Sequence, residues 1–312
     1  MLDNKKKLAD LTSVYLEYID VRSETKQIYE RVLCQFVEYM NTLSDLPTRS
    51  DVMRFRELLK AKNLSATTIA LYIGIVRSFY QWIQDHGYGL NVASGIKSPK
   101  VEKEFKRSSL SNAQAQRLIE YAYKKSGNSI IDFRNYTLVS LMITTGMRTI
   151  EVERTDKADL GERDNGHVLF VMGKGKDMKN AVIRLSPKVY DLIERYIMMR
   201  SDTYDPLFIN HKGKHKEKRM VTRSLRYVIK KMLRDIDIDD KRYSAHSLRH
   251  TAATISINQG ANTDETSQFL RHASPETSKI YIHRDPKTGN FLEYVITDVV
   301  FQNIEEKNES DT

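Results

Sequence analysis

Between Leu8 and Ile83 apolar side chains return every three or four positions, the spacing of helices with one buried face. Leu8, Leu11, Tyr15 and Ile19 line up in a predicted helix over 4–20. Ile28, Val32, Phe36 and Met40, flanked by Tyr29, Leu33 and Val37, predict a second helix after Ser23. Thr48-Arg-Ser-Asp opens a third. Ser65-Ala-Thr-Thr opens a fourth, carried by Ile69, Tyr72, Ile73, Val76, Phe79, Tyr80 and Ile83 and ended by Gly87. These helices predict a compact bundle, with Tyr72, Phe79, Tyr80 and Trp82 as core.

The pattern then lapses. Gly89, Gly95, Ser98 and Pro99 break the period across 88–109, and Lys97, Lys100, Lys103, Lys106 and Arg107 add charge, which reads as a linker. Periodicity resumes at Ser111-x-x-Gln114, a capping-box start. The stretch from Ile130 to Thr145 is apolar on nearly every side and stops at Gly146. His167–Met172 and Ala181–Leu185 alternate as strands, joined as a hairpin through Gly173-Lys174-Gly175-Lys176. Ser186-Pro187 starts another helix with Val189, Ile193 and Ile197 inward. Leu225, Val228, Ile229, Met232 and Leu233 make one more. A last apolar stripe, Phe291, Leu292, Val295, Ile296, Val299 and Val300, has helical spacing and needs an apolar partner.

Composition narrows the class. At 312 residues, 40% hydrophobic and 29% charged, the chain suits two soluble domains, and no stretch has the apolar length of a membrane span. One cysteine, Cys34, excludes a disulfide framework and a cysteine metal site, and the N-terminus lacks the apolar segment of a secretory signal. A reducing cytoplasm fits. The net charge of +9 favours a polyanionic partner.

The reactive groups are clustered. His246, Arg249 and His250 fall at i, i+3 and i+4, on one helix face. His272 and Tyr281 follow. Arg148 and Glu151 stand just past the apolar helix that Gly146 ends, where a guanidinium can be held in place. A phenol is a weak nucleophile until a base or a positive field helps it, and arginine forks onto two phosphate oxygens. That set suits attack on a phosphodiester without a metal. A metal pair at His246 and His250 lacks the glutamate of His-Glu-x-x-His and has the cationic Arg249 on the same face. A phosphate-binding loop at Gly-Lys-Gly lacks the required spacing and following helix.

Arg148 with Glu151, a Gly-Lys-Gly hairpin, His-x-x-Arg-His, then a histidine nine residues before Tyr281 resembles the tyrosine recombinase (phage integrase) family, Xer-like in size. The resemblance is strongest from Leu110 to His283. It implies a mainly α fold with a small antiparallel sheet. Residues 1–96 form a helical DNA-binding domain, 97–109 a basic linker, and 110–312 a catalytic domain with a tail from about 290. It assigns Tyr281 as nucleophile, Arg148 and Arg249 as phosphate clamps, His272 as a further hydrogen-bond donor, and His246 as proton acceptor. Lys174, in preference to Lys176 and Lys179, protonates the leaving oxygen. Glu151 and His250 support the site.

DNA contacts are expected from Lys62, Thr67, Thr68, Arg77, Lys97, Lys100 and Arg271. Arg271 stands where the family has glycine, and Thr155 where it has leucine. The implied activity is site-specific recombination of double-stranded DNA through a 3′-phosphotyrosyl intermediate and a Holliday junction. The enzyme would act as a tetramer, with or without DNA-bending partners, without membrane, metal or cofactor. A type IB topoisomerase and a silent DNA-binding regulator are the alternatives. In the resembled family the tail docks on a neighbouring protomer, and the same exchange is expected here.

Overall fold

The computed structural model describes residues 2–43, 47–100, 108–163, 166–172, 178–271 and 291–310. The chain divides into two compact units, Met1–Glu104 and Phe105–Thr312.

The first unit is a helical bundle of α1 (Leu2–Tyr18), α2 (Ser23–Asn41), α3 (Arg49–Ala61) and α4 (Ala66–Asp85). Local chemistry sets the starts. Thr48 and Asp51 cap each other reciprocally at α3, and the Ser65 hydroxyl takes the Thr68 amide at α4. Gly87, at φ +70°, turns the chain away after α4. Val32, Leu33, Phe36, Val52, Phe55, Ile73, Val76 and Phe79 fill the core. Tyr72, Tyr80 and Trp82 are buried with them, as the apolar stripe predicts.

The stretch after α4 is not spacer throughout, which corrects the linker reading of its first part. Ala93 and Ile96 are buried in this core, because the bundle leaves an apolar gap that two small segments of loop can fill. Arg77 donates to the Ile96 carbonyl at 3.4 Å and Arg56 to that of Lys97 at 3.0 Å. Arg49 reaches the Ser94 carbonyl.

The second unit is built around α6 (Ile130–Thr145), which is buried from Phe133 onward on nearly all faces. Its threonine hydroxyls turn back onto the helix. Thr137 donates to the Phe133 carbonyl at 3.0 Å and Thr144 to that of Ser140 at 2.8 Å, so these two threonines sit in the core with partners, whereas the buried Ser140 hydroxyl has none among the described residues. Around it pack α5 (Asn112–Ser126), α8 (Pro187–Met199) and α10 (Ala245–Asn258). α9 (Thr222–Asp235) packs on α7 (Thr149–Glu153), α10 and α5. Strands β1 (Leu160–Arg163), β2 (Gly166–Val171) and β3 (Ala181–Arg184) form an antiparallel sheet in that order, with Leu169 opposite both Leu160 and Ile183. β2 and β3 match the predicted hairpin. β1 was not predicted: Leu-Gly-Glu-Arg carries no alternation, and only pairing to β2 makes it a strand. Helix α11 (Thr263–Phe269) is capped by Asn262. Among the described residues no helix is long and apolar enough to cross a membrane.

The tail helix α12 (Leu292–Ser310) forms where the apolar stripe predicts it. It packs on α5, α6 and α10 of its own chain. The buried set is Ile296, Val300, Phe301 and Ile304, a stripe rotated from the predicted one. Thr297 donates to the Ser186 hydroxyl at 2.9 Å, and Gln116 donates to the Val299 carbonyl at 2.9 Å. Its apolar residues join the core built by α5 and α6.

This docking has a measurable consequence. Phe301→Ala is expected to cost about 3–5 kcal/mol, since a fully buried ring is lost from a closed core. Urea unfolding at two protein concentrations checks it. An unchanged midpoint, or a loss present only at the higher concentration, would contradict docking within one chain.

Candidate active site

The site begins at the end of α6. Gly146 adopts φ +60°, the left-handed conformation that glycine enters without strain. A Cβ there would lie 2.7 Å from Leu270 Cδ2. The turn places Arg148 at the cap of α7. Its backbone N–H donates to Glu151 Oε2 at 2.8 Å, and its Nη1 donates to Oε1 at 2.7 Å. Three residues of sequence thus fix guanidinium and carboxylate against each other.

Helix α10 brings the second arginine. Arg249 is 3% exposed. Its Nη1 donates to the Gly146 carbonyl at 2.6 Å, and its Nη2 to the Leu270 carbonyl. Arg148 in turn donates to the next carbonyl, that of Arg271, at 3.3 and 3.4 Å. Two arginines from distant parts of the chain therefore hold consecutive carbonyls at the end of α11. Arginine suits this because its planar fork spans two acceptors with little extra ordering.

Arg271, expected among the DNA contacts, has its guanidinium engaged within the fold, donating to the Phe269 carbonyl at 2.8 Å and to Glu151 Oε2 at 3.3 Å. The backbone explains the family's glycine at this position, for Arg271 has φ +55°. The buried carboxylate of Glu151 is what draws the side chain in.

The electrostatics follow from burial. Burial alone would push the Glu151 carboxyl up. The Arg271 charge, the Arg148 N–H and the Arg148 guanidinium outweigh it and hold the group below its usual range. For Arg249, burial and then the Arg148 and Arg271 charges push the guanidinium down to about 9. It still carries its charge at neutral pH. Three guanidiniums around one carboxylate leave a surplus of two positive charges. Such a surplus is the counterpart of a bound anion with two negative oxygens, and arginine forks match phosphate geometry.

The two histidines of α10 lie beside this cluster in sequence. His246 is exposed and His250 half-buried, and their rings meet edge to face with centroids 4.8 Å apart. Thr155 is buried; its hydroxyl donates to the Glu151 carbonyl at 2.8 Å, which replaces apolar contact with a tie to α7. Lys179 is held by Asp156 at 2.7 Å and by Asp159. It is therefore engaged in the fold. Lys174, Lys176, His272 and Tyr281 lie outside the described residues.

In the first unit, Lys62 and Thr67 are exposed and Thr68 is half-buried at the start of α4. Arg77, Lys97 and Lys100 are exposed as well. Sequence reading missed the carbonyls of Gly146 and Leu270 as anchors. Only the glycine at a helix end hinted at the first, and nothing signalled the second.

Comparisons with known proteins bear on the family and the fold. The model of the Phage integrase family matches residues 108–288, and that of the Phage integrase N-terminal SAM-like domain matches 13–87. Tyrosine recombinase XerC of Herpetosiphon aurantiacus is 29% identical over 86% of this chain and 89% of its own length. Tyrosine recombinase XerD of Oceanobacillus iheyensis is 27% identical over 83% and 87%. The XerH site-specific recombinase bound to palindromic difH substrate superposes with a TM-score of 0.68 at 18% identity, over 91% of this chain and 79% of that one. The Tn1549 transposon integrase in complex with circular intermediate DNA gives 0.61 at 18%, over 89% and 96%. These structures share the fold.

The clamp at Gly146 can be tested directly. Gly146→Ala is expected to lose about 2–4 kcal/mol, from a strained φ and from overpacking against Leu270. Adding Leu270→Ala should relieve the steric part and leave the backbone part. Denaturant unfolding of the single and double variants measures both. A Gly146→Ala protein as stable as wild type would show that this turn is not the constraint described.

Proposed function

Since the chain belongs to the phage integrase family and is a site-specific recombinase of the tyrosine type, we propose that it cuts and rejoins duplex DNA through a 3′-phosphotyrosyl intermediate and a Holliday junction. The observation that carries the reading is the buried Arg148–Glu151–Arg249 cluster with its surplus positive charge.

In this reading the scissile phosphate binds at that cluster, and Arg148 and Arg249 take its non-bridging oxygens. The Tyr281 oxygen attacks phosphorus, and its proton passes to His246. The P–O5′ bond breaks, and Lys174 supplies the proton that makes the departing oxygen a hydroxyl. His272 adds a hydrogen bond to the phosphoryl oxygens. Attack by another strand's 5′-hydroxyl reverses the steps. The phosphodiester energy is kept in the tyrosyl link, so the chemistry balances without nucleotide hydrolysis. Glu151 holds Arg148, and His250 supports His246.

The first unit and the basic stretch with Lys97 and Lys100 grip the duplex, and Lys62, Thr67, Thr68 and Arg77 take backbone phosphates. Residues 1–96, 97–109 and 110–312 act as DNA-binding domain, linker and catalytic domain. Two matched sites require a homotetramer on DNA, with accessory bending proteins where the site demands them. The cell compartment is the cytoplasm, on chromosomal or mobile-element DNA.

The test uses a pool of nicked duplexes with a randomised core, from which covalent complexes are isolated in detergent and sequenced. The recombinase reading expects one recovered core and, on two intact copies of it, Holliday junctions. Covalent complexes without junctions would favour a topoisomerase, and none at all a silent binder.

Tyr281→Phe is expected to bind the recovered duplex as wild type does and to form no covalent complex, since one nucleophilic oxygen is removed. Covalent trapping by this variant, followed by peptide mapping, would move the role to another tyrosine.

Lys174→Ala is expected to slow cleavage of the ordinary duplex and to regain its rate on a 5′-bridging phosphorothioate, whose thiolate leaves without a proton. Rescue seen with Lys176→Ala and not with Lys174→Ala would shift the donor by two residues.

A further inference from the structure

We infer that Arg271 is a positioning residue that locks Arg148 and Glu151 into one unit, its main chain holding the first and its side chain the second. The inference rests on the recombinase reading above.

Three bonds close a ring. Arg148 donates to Glu151, Arg271 donates to Glu151, and the Arg271 carbonyl accepts from Arg148. The carbonyl points there because the residue sits at φ +55°, a conformation that costs a non-glycine side chain about 1 kcal/mol or more. Glycine would make the same turn without that cost. What arginine adds is a second guanidinium on a carboxylate that is completely buried. The side chain is 14% exposed and is also held by the Phe269 and Thr145 carbonyls, at 2.8 Å and at 3.4–3.5 Å. A guanidinium bound in this way is not free to meet a passing phosphate.

The chemistry of Glu151 gives the ring its purpose. Burial favours the protonated acid, and a protonated Glu151 would lose most of its hold on Arg148. The charge of Arg271 is the largest effect opposing this. The charged groups facing Glu151 are Arg148 at the start of α7, Arg271 at the end of α11 and Arg249 of α10. Glu293 of α12 also feels Arg271, together with Arg184 of β3, and so competes for it.

The sign of the pH effect follows. Glu151 has a lowered carboxyl in the folded protein, so its contribution is complete above the unfolded value and is lost as pH falls through the folded one. Removing Arg271 moves that loss to higher pH.

The probe is the nicked duplex recovered from the randomised pool, with wild type, Arg271→Gly, Arg271→Asn and Arg271→Lys compared. Asparagine tolerates the left-handed turn, so it carries the test should the glycine variant unfold. Single-turnover cleavage at saturating duplex is expected to fall about 100-fold in the neutral variants, as for a misplaced catalytic group. The acid limb of cleavage and of thermal unfolding should move to higher pH. Duplex affinity and its salt dependence should stay as in wild type. Lysine should restore the acid limb and part of the rate.

Wild-type cleavage with an unmoved acid limb in the neutral variants would overturn the inference. So would a loss confined to affinity, with the salt slope reduced by about one, because that marks a phosphate contact. A wild-type protein that forms no covalent complex would fail the recombinase reading itself. In that case the unfolding limb still reports whether Arg271 governs Glu151.

Discussion

The second unit depends on one buried carboxylate. Glu151 is fully enclosed, and a lone charge there would be costly by several kcal/mol. It is tolerated because Arg148 and Arg271 flank it and a backbone N–H points at it. The arrangement works in both directions. The carboxylate fixes the guanidinium of Arg148, and a fixed guanidinium stabilises a developing phosphorane without reorganising during the reaction. Arg249 is held by other means, through the carbonyls of Gly146 and Leu270. The turn after α6 and the end of α11 are thereby tied to α10.

The surrounding elements serve that junction. α6 can run through the centre of the unit because its threonine hydroxyls bond to its own carbonyls. It delivers Gly146 to a point where only a residue without a side chain fits beneath Leu270. α12 covers α5 and α6 and closes the core beside the site. Arg219 ties the end of α7 to the loop before α9, through the carbonyls of Glu153 and Thr155 at 2.8 and 3.1 Å. Each contact restricts the freedom of the short helix that carries Arg148 and Glu151.

Much of this was legible in the chain. Local rules placed the helix starts at Thr48, Ser65, Ser111 and Ser186 and the helix end at Gly146, because capping involves residues only a few positions apart. Period alone assigned Tyr72, Phe79, Tyr80 and Trp82 to a core. The pairing of Arg148 with Glu151 was readable too, since it spans three residues. The order of reactive residues pointed to the family before any coordinates.

Tertiary structure decided what depends on distant partners. Strand β1 exists through its pairing with β2. Ala93 and Ile96 entered a core that their own loop could not reveal. An apolar stripe shows that α12 needs cover, and only the fold shows α5 and α6 lying against it. Arg271 looked like a free cation on the strength of its charge. Its direction was set by Glu151, 120 residues earlier, because a buried carboxylate attracts a guanidinium more strongly than solvent does. Sequence determined which groups were present and the local turns that display them. Folding determined which group each one would meet, for charge and apolar area act through space and not along the chain.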